Sequence, residues 1–262
     1  MAELAAGAES AGWDGFFLWD HMLAGDGTPV ADPWVTMAAM AVSTSRILMG
    51  AMVTPLSRRR PWVMARQIAT LDQLSNGRLV VGVGLGDDGW KEFSSFGEET
   101  DPQRRGTALD ESLAVLQALL SGASVAHHGL VHSVESTPFL PGPRQHPVPI
   151  WAAGRWPRRR PLQRAARLQG FFPIFPQEDD GRPPAQADLL AIQRELRARQ
   201  VGADYDLAVT WSFPRDGRRA GLREEISRLD AAGVTWALHR FPPAGLPTHL
   251  VEAAVLAGPP RE

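Results

Sequence analysis

The chain has 262 residues, 44% of them hydrophobic, which is enough to bury the core of one α/β barrel domain. Its formal net charge of -2 gives no sign of a surface for nucleic acid, and the absence of cysteine excludes disulfides, iron–sulfur clusters and thiol catalysis. The first ten residues do not resemble a secretory signal, and no apolar run approaches the roughly 20 residues of a membrane span. We therefore expect a cytoplasmic protein that contacts no membrane.

Strands and helices are predicted to alternate along the whole chain. The predicted strands cover residues 15–19, 46–53, 79–84, 149–153, 170–175, 206–213 and 233–240. The predicted helices cover residues 2–11, 34–43, 62–74, 104–120, 155–169, 185–200, 219–231 and 246–256. Short connections between alternating elements favour a parallel sheet with helical crossovers. A closed barrel of this kind has eight strands, one more than the seven found.

The clearest βαβ unit covers residues 46–84. Pro61 stands where a proline suits the first turn of a helix, and the apolar residues that follow recur at helical spacing. The segment 75–77 (SNG) predicts the end of that helix, because its residues tolerate left-handed dihedral angles. The stretch 79–84 is apolar without alternation, which is typical of a parallel strand buried on both faces.

Two segments interrupt the alternation. Residues 85–103 are polar and too long for a routine connection, so we predict a functional insertion. Residues 124–147 contain short extended pieces and several prolines, which predict an excursion outside the main sheet. The histidines at 127, 128 and 132 suggest a metal site, but carboxylates at ligand spacing are missing there, so we interpret them as part of a surface hairpin.

Several stretches together resemble the bacterial luciferase-like family, whose members use flavin or deazaflavin on a (β/α)8 barrel. The resemblance spans most of residues 8–160, whereas the C-terminal hundred residues match mainly in layout. It rests on AESAGWDGFFLWDH (8–21), DPWVTMAAMAVSTSRILMGAMVTP (32–55), RPWVMARQIATLDQLSNGRLVVGVGLGD (60–87), RRGTALDESLAVLQALLSG (104–122) and PIWAAGRWPRR (149–159).

The resemblance implies the fold: an α/β (β/α)8 TIM-type barrel as one domain over residues 1–262, with 85–103 and 124–147 as insertion loops. Family members carry a strand before the first helix, and this sequence shows none. We therefore expect the natural chain to begin upstream of Met1, either because the start codon is placed too late or because the chain is truncated.

The resemblance also implies a catalytic and cofactor-binding site at the carboxyl ends of the strands. Asp20 and His21 end the strand 15–19, and histidine titrates near neutrality, so His21 is the candidate to move a proton or to hydrogen-bond the cofactor ring. A satisfied structural histidine is the alternative. Residues Met52, Val53 and Thr54 lie where family members carry a bulge behind the ring, often with a cis peptide bond, which by position would join Met52 to Val53. An ordinary buried strand end is the alternative there.

Two glycine-containing turns complete the predicted cofactor site. Gly84, Gly86 and Asp87 follow a buried strand and would let the backbone approach a cofactor closely, although a GxG pattern mostly means a tight turn. In the family the cofactor phosphate binds near Ala153, Gly154 and Arg155, where free N–H groups at a helix start would bind an anion. A solvated basic patch is the alternative. Trp19 and Trp211 end strands and could wall a pocket.

The predicted function is that of a flavin- or deazaflavin-dependent oxidoreductase, with FMN or the deazaflavin coenzyme F420 as cofactor. We expect a monooxygenase that acts on a small organic substrate with oxygen and with reduced flavin from a separate reductase. A deazaflavin-dependent dehydrogenase or reductase without oxygen chemistry is one alternative, and a non-catalytic relative that binds only the cofactor or a partner is another. The oligomeric state is left open, with a homodimer as one option. We expect neither a nucleic-acid partner nor a bound metal.

Overall fold

The computed structural model describes residues 1–25, 27–175, 183–213, 221–241 and 247–260. Residues 219, 220 and 246 of two predicted helices lie outside these ranges. The chain contains two compact units. The first comprises Met1–Glu9 and Asp14–Ile150, and the second comprises Ser10–Trp13 and Trp151–Glu262.

The first unit holds three parallel pairings and one antiparallel hairpin. Strand β1 pairs with β2, and β3 pairs with β4, both in parallel, while a parallel bridge joins Met49 to Leu79. β5 and β6 form the hairpin. The elements are α1 (Ala2–Ala11), β1 (Gly15–Leu18), α2 (Pro33–Ser43), β2 (Leu48–Ala51), β3 (Thr54–Pro55), α3 (Pro61–Leu74), β4 (Val81–Gly84), α4 (Pro102–Leu120), β5 (Val125–His128) and β6 (Ser133–Ser136).

Three helices of this unit begin at residues that suit a helix start. Helices α2, α3 and α4 all start on a proline, which has no N–H to leave unsatisfied. The Asp32 carboxylate accepts the Val35 N–H at 2.8 Å, and the Asp101 carboxylate accepts those of Gln103 and Arg104 at 3.0 and 2.8 Å. Each aspartate therefore caps its helix.

A buried arginine joins α2 and α3 to the strand between them. Arg78 is 7% exposed, and its guanidinium donates to the carbonyl oxygens of Ala41 and Ile47 at 2.9 Å and to the Thr44 hydroxyl at 2.8 Å. Its Nε donates to the Ser75 carbonyl at 2.6 Å. These bonds compensate the cost of burying a charge, and they fix the start of β2 against the loop that ends α3.

The segment 124–147 lies outside the parallel pairings, as predicted. It contains the β5–β6 hairpin and then a proline-rich stretch that is anchored to α3. The fully buried Asp72 accepts the backbone N–H groups of Arg144 and Gln145 at 2.7 and 2.8 Å and the Gln145 side-chain amide at 2.6 Å. A buried carboxylate with several donors is stable inside a protein, so Asp72 holds this stretch in place.

The second unit is a run of parallel strands in the order β7-β8-β9-β10. Strands β7, β8 and β9 are buried along most of their length, whereas β10 is half-buried throughout. The apolar core includes Phe171, Val209 and Leu229. The elements are β7 (Ile150–Arg155), α5 (Arg159–Ala165), β8 (Gly170–Ile174), α6 (Gln186–Ala198), β9 (Asp206–Ser212), α7 (Leu222–Ala231), β10 (Trp236–Arg240) and α8 (Thr248–Leu256).

The structure confirms the predicted parallel α/β alternation, with one correction. In the described residues a strand lies at each of the seven predicted positions. The strand predicted over 46–53 is interrupted, however, because β2 ends at Ala51 and β3 resumes at Thr54. In the same described ranges, no helix is both long and apolar enough to cross a membrane.

Glu9, near the end of α1, gives the first unit a measurable dependence on pH. Its carboxylate accepts the N–H groups of Ser45, Arg46 and Ile47 at 3.0, 2.6 and 2.8 Å. Burial alone raises the pKa of Glu9, but these donors outweigh burial and lower the pKa from 4.5 to about 2. The folded-state pKa therefore lies below the unfolded one, and the stabilisation is lost as the pH falls from about 4.5 towards 2.

We predict that Glu9→Gln lowers the free energy of unfolding by about 1 kcal/mol at neutral pH, the net value of one hydrogen bond. Urea unfolding of both proteins across a pH series should show this difference shrinking below pH 4.5. Glu3→Gln, at an exposed position of the same helix, is the matched control and should have little effect. A Glu9→Gln difference that stays constant down to the lowest pH would contradict the assignment.

Candidate active site

The carboxyl ends of β1 and β2 meet at a bulge. Leu18 pairs with Ala51, and the next amide, that of Met52, donates to the Leu18 carbonyl at 2.7 Å. The Met52–Val53 peptide bond is cis, as predicted for that position. Met52 and Val53 are both half-buried, so the bulge presents apolar side chains at the strand ends.

A glycine on the neighbouring strand makes room for this bulge. A Cβ atom on Gly82 of β4 would lie 2.3 Å from the Ala51 carbonyl oxygen and 2.9 Å from the Met52 sulfur. Such distances are far below van der Waals contact, so only glycine fits opposite the bulge. Gly82 therefore makes room for the bulge within the protein.

Asp20 is the buried centre of the site. Its carboxylate is 1% exposed, and both oxygens lie 2.8 Å from Arg59 Nη2. The Thr54 hydroxyl donates to Oδ2 at 2.7 Å, and the Trp34 indole N–H approaches both Thr54 and Asp20 at 3.3 and 3.4 Å. Asp20 and Thr54 were predicted to bind cofactor, but protein groups occupy their side-chain polar atoms. These contacts hold the strand ends together, and binding of cofactor by Asp20 and Thr54 remains a prediction.

Arg58 connects this centre to the loop 85–103. Its Nη2 donates to the Asp20 carbonyl at 2.9 Å, and its Nη1 lies 3.5 Å from Glu92 Oε1. The Arg58 and Glu92 side chains are only 6% and 4% exposed. Two arginines thus balance two buried carboxylates, which is the arrangement that buried charges require.

His21 follows Asp20 and is held by the same glutamate. Its Nδ1 lies 2.7 Å from Glu92 Oε2, while Glu92 Oε1 accepts the Met22 and Leu23 N–H groups at 2.5 and 3.3 Å. The imidazole keeps 35% of its surface exposed. In the described part of the chain, no hydrogen bond engages Nε2. His21 therefore combines a fixed orientation with a nitrogen that remains open.

Two tryptophan rings flank the His21 imidazole. Trp90 lies 4.6 Å from it between ring centroids, and Trp19 lies 5.6 Å away in an edge-on contact. Gly25 leaves space for Trp90, because a Cβ there would approach the indole to 2.8 Å. Trp19 was predicted as a pocket wall, whereas Trp90 and Glu92 were not identified from the sequence. The only sequence signal for this loop was its unusual length, which predicted a functional insertion.

The glycine at position 86, after β4, is explained by packing. Gly86 has a φ of +75°, and a Cβ there would lie 2.6 Å from the buried Phe93 ring. Gly84, the last residue of β4, is buried. Asp87 is exposed, and its carboxylate accepts the Gly89 N–H at 2.8 Å. The prediction that these residues bind cofactor remains a prediction, but Gly86 would be required by Phe93 alone.

The predicted phosphate site belongs to the second unit and needs a correction. The strand does not lead directly into a helix, because β7 continues to Arg155 and α5 starts only at Arg159. A Cβ on Gly154 would lie 2.0 Å from the Pro161 side chain, so the glycine is needed for helix packing. Arg155 is exposed and Ala153 is buried. Binding of a phosphate by these three residues remains a prediction.

Two further predictions concern Trp211 and the hairpin histidines. Trp211 is 3% exposed and packs edge-on against His239 with 4.6 Å between ring centroids, so it is a core residue and does not line an open wall. The histidines of the segment 124–147 lie on the predicted hairpin. His127 bonds the Glu111 carboxylate at 3.1 Å, and His132 bonds the Ser112 hydroxyl at 2.8 Å.

Comparison with known proteins identifies the family. Residues 1–234 match the family model described as luciferase-like monooxygenase. An F420-dependent glucose-6-phosphate dehydrogenase of Beutenbergia cavernae is 36% identical over 235 residues, which are 87% of this chain and 68% of that protein. The chain spans only 47% and 49% of the length of two further relatives with the same description.

Solved structures agree with the fold. The coenzyme F420-dependent tetrahydromethanopterin reductase of Methanopyrus kandleri has a TM-score of 0.73 at 18% identity, over 98% of this chain and 92% of that one. An F420-dependent secondary alcohol dehydrogenase, in complex with an F420-acetone adduct, has a TM-score of 0.69 at 20% identity, over 98% and 79%. These likenesses show an α/β fold of the predicted type.

We predict that Asp20→Ala is strongly destabilising. Removal of the carboxylate leaves Arg59 largely buried without a counter-charge, while Arg58 keeps only Glu92, and breaking such a buried pair costs about 3–5 kcal/mol. Urea unfolding measures the loss, with Asp87→Ala as the control because that carboxylate is exposed. An Asp20→Ala protein as stable as its parent would show that the cluster does not hold the strand ends together.

A second prediction tests whether Gly82 is needed to make room for the bulge. Gly82→Ala should lower the free energy of unfolding by about 1–3 kcal/mol or more, because the added methyl group overpacks the site. Gly142→Ala is the matched control, since nothing lies within 4 Å of its Cβ position, and it should stay within about 0.5 kcal/mol of the parent. Equal thermal unfolding curves for both variants would refute the packing argument.

Proposed function

The chain belongs to the luciferase-like monooxygenase family, and from this premise we propose that it is a dehydrogenase that uses the deazaflavin coenzyme F420. Its substrate in this proposal is a small molecule with a hydroxyl group on the carbon to be oxidised. The observation that carries the proposal is the half-exposed His21, which is fixed through Nδ1 and open at Nε2.

The similar proteins support the choice of cofactor and reaction. The 36% identical relative is described as F420-dependent and as acting on glucose 6-phosphate, and a protein of the same fold is described as an F420-dependent secondary alcohol dehydrogenase. Both substrates carry a hydroxyl group on the carbon that is oxidised. Hydride transfer from such a carbon needs a base for the hydroxyl proton, and His21 is a suitable one.

The site fits a flat, largely apolar ring. Half-buried Met52 and Val53 of the bulge, together with Trp19, present apolar surface at the carboxyl ends of parallel strands beside His21. Binding sites in parallel α/β folds lie at these ends. A bound deazaflavin would supply hydride transfer, which moves two electrons at once without oxygen.

In this proposal the residues of the chain supply the base, the shielding from water and the orientation. Nε2 of His21 takes the proton that leaves the substrate hydroxyl, so the alcohol becomes a carbonyl as the hydride departs. Trp19 and Trp90 flank the imidazole and shield it from water on two sides. Asp20 and the arginines hold the strand end on which His21 stands. Orientation and exclusion of water are the protein's usual contribution to cofactor chemistry.

The proposal is tested by adding F420 to the purified chain and following the visible absorbance of the oxidised cofactor, without oxygen, over a panel of sugar phosphates and secondary alcohols. Loss of absorbance with one class of alcohol supports a dehydrogenase. Turnover that requires oxygen and reduced FMN would instead establish the monooxygenase predicted from the sequence. A chain that binds neither cofactor would establish a non-catalytic relative.

We predict that His21→Ala lowers kcat by about 100-fold or more, because general base catalysis contributes that much. Cofactor affinity and thermal stability should change little, since the imidazole is half-exposed. His127→Ala, on the β5–β6 hairpin, is the matched control and should retain full turnover. If the two variants turn over equally, His21 is not the base.

A further inference from the structure

We infer that Glu92 is a positioning residue that selects the tautomer of His21 and so makes the loop 85–103 part of the catalytic machinery. The inference rests on the proposed role of His21 as a base. Glu92 would touch neither substrate nor cofactor. It would act only through the imidazole, by deciding which ring nitrogen carries the proton.

The two carboxylate oxygens of Glu92 have separate tasks. Oε2 faces the imidazole, 2.7 Å from His21 Nδ1. Oε1 accepts the N–H groups of Met22 and Leu23 at 2.5 and 3.3 Å and lies 3.5 Å from the Arg58 guanidinium. The side chain is 4% exposed. The Glu92 carboxylate therefore holds both the His21 imidazole and the backbone that follows it.

This arrangement permits only one neutral form of the imidazole. An ionised carboxylate accepts hydrogen bonds and has none to donate, so Nδ1 must carry the proton in the bond to Oε2. In the neutral ring, Nε2 then holds the free lone pair. The nitrogen that is open in the described structure is thus the basic one, as a proton acceptor must be.

The loop fixes Glu92 from both sides. Phe93, the next residue, is 1% exposed, and the Arg105 guanidinium lies over its ring at 4.4 Å from the centroid. The Asp88 carboxylate accepts the Phe93 N–H at 2.8 Å. Trp90, two residues before Glu92, packs on the His21 ring. One short stretch of loop thus supplies the hydrogen-bond partner of the imidazole and one of its aromatic neighbours.

Glu92→Gln changes the tautomer while keeping the shape. The amide oxygen of Gln can still accept the Met22 and Leu23 N–H groups, which leaves its NH2 group facing Nδ1. Nδ1 must then accept, so the proton moves to Nε2 and the base is lost. We expect kcat to fall by about 10²–10⁴-fold, the range seen when a base is put in the wrong tautomer or lost, with little change in KM.

The matched control is Glu111→Gln. Glu111 of α4 is also bonded to a histidine and to backbone amides: its carboxylate bonds Nε2 of His127 on the hairpin at 3.1 Å and accepts the Val131 and His132 N–H groups at 3.0 and 2.6 Å. Loss of that carboxylate perturbs the fold in a comparable way but should leave kcat unchanged. A fall in kcat for Glu92→Gln alone separates positioning from a general loss of stability.

A second readout needs no turnover. Nitrogen-15 NMR of the His21 ring in the full chain without cofactor should report the Nδ1–H form in the parent and the Nε2–H form in Glu92→Gln. The Nε2–H form in the parent would overturn the inference, even if the variant failed to fold. Equal kcat in parent and variant would also overturn it and leave the proposed function standing. The expected change of tautomer without dehydrogenase activity in the parent would overturn the proposed function alone.

Discussion

The architecture of the first unit depends on one buried carboxylate. Asp20 ties the end of β1 to the bulge through Thr54 and to the loop before α3 through Arg59. Arg58 extends the contact to Glu92. A buried charge has a high desolvation cost and tolerates few arrangements of its partners. The cluster therefore defines one relative placement of three chain segments, and it leaves His21 at the point where they meet.

Close backbone packing at two glycines fixes how near the strands lie to one another. Gly50 and Gly82 stand where any side chain would strike the neighbouring backbone, with Cβ positions 2.2 and 2.3 Å from a carbonyl oxygen. The strands can approach only because these residues have no side chain. The polar cluster and the glycines thus act together: the first sets which segments meet, and the second sets how closely they do so.

Much of this fold could be predicted from the sequence, because periodicity and helix-end residues are local signals. The unalternated stretch before Gly84 indicated a buried strand, and Pro61 marked the start of α3. The site was harder to predict. Glu92 meets His21 across 71 positions, and no local pattern encodes such a contact. Asp20 is a second example, since its arginine partners lie 38 and 39 positions away along the chain and could not be read from its place beside His21.

The division of the His21 site between a strand end and an insertion loop constrains how such proteins can be redesigned. Loops of this kind are the usual material for changing substrate preference by grafting, because they tolerate new lengths and sequences. Here residues 85–103 carry the carboxylate that hydrogen-bonds the imidazole. If His21 and Glu92 have the roles proposed above, a donor loop that lacks an equivalent acid would change specificity and proton transfer together. Libraries that vary the surrounding loop while holding Glu92 constant would keep the two properties separate.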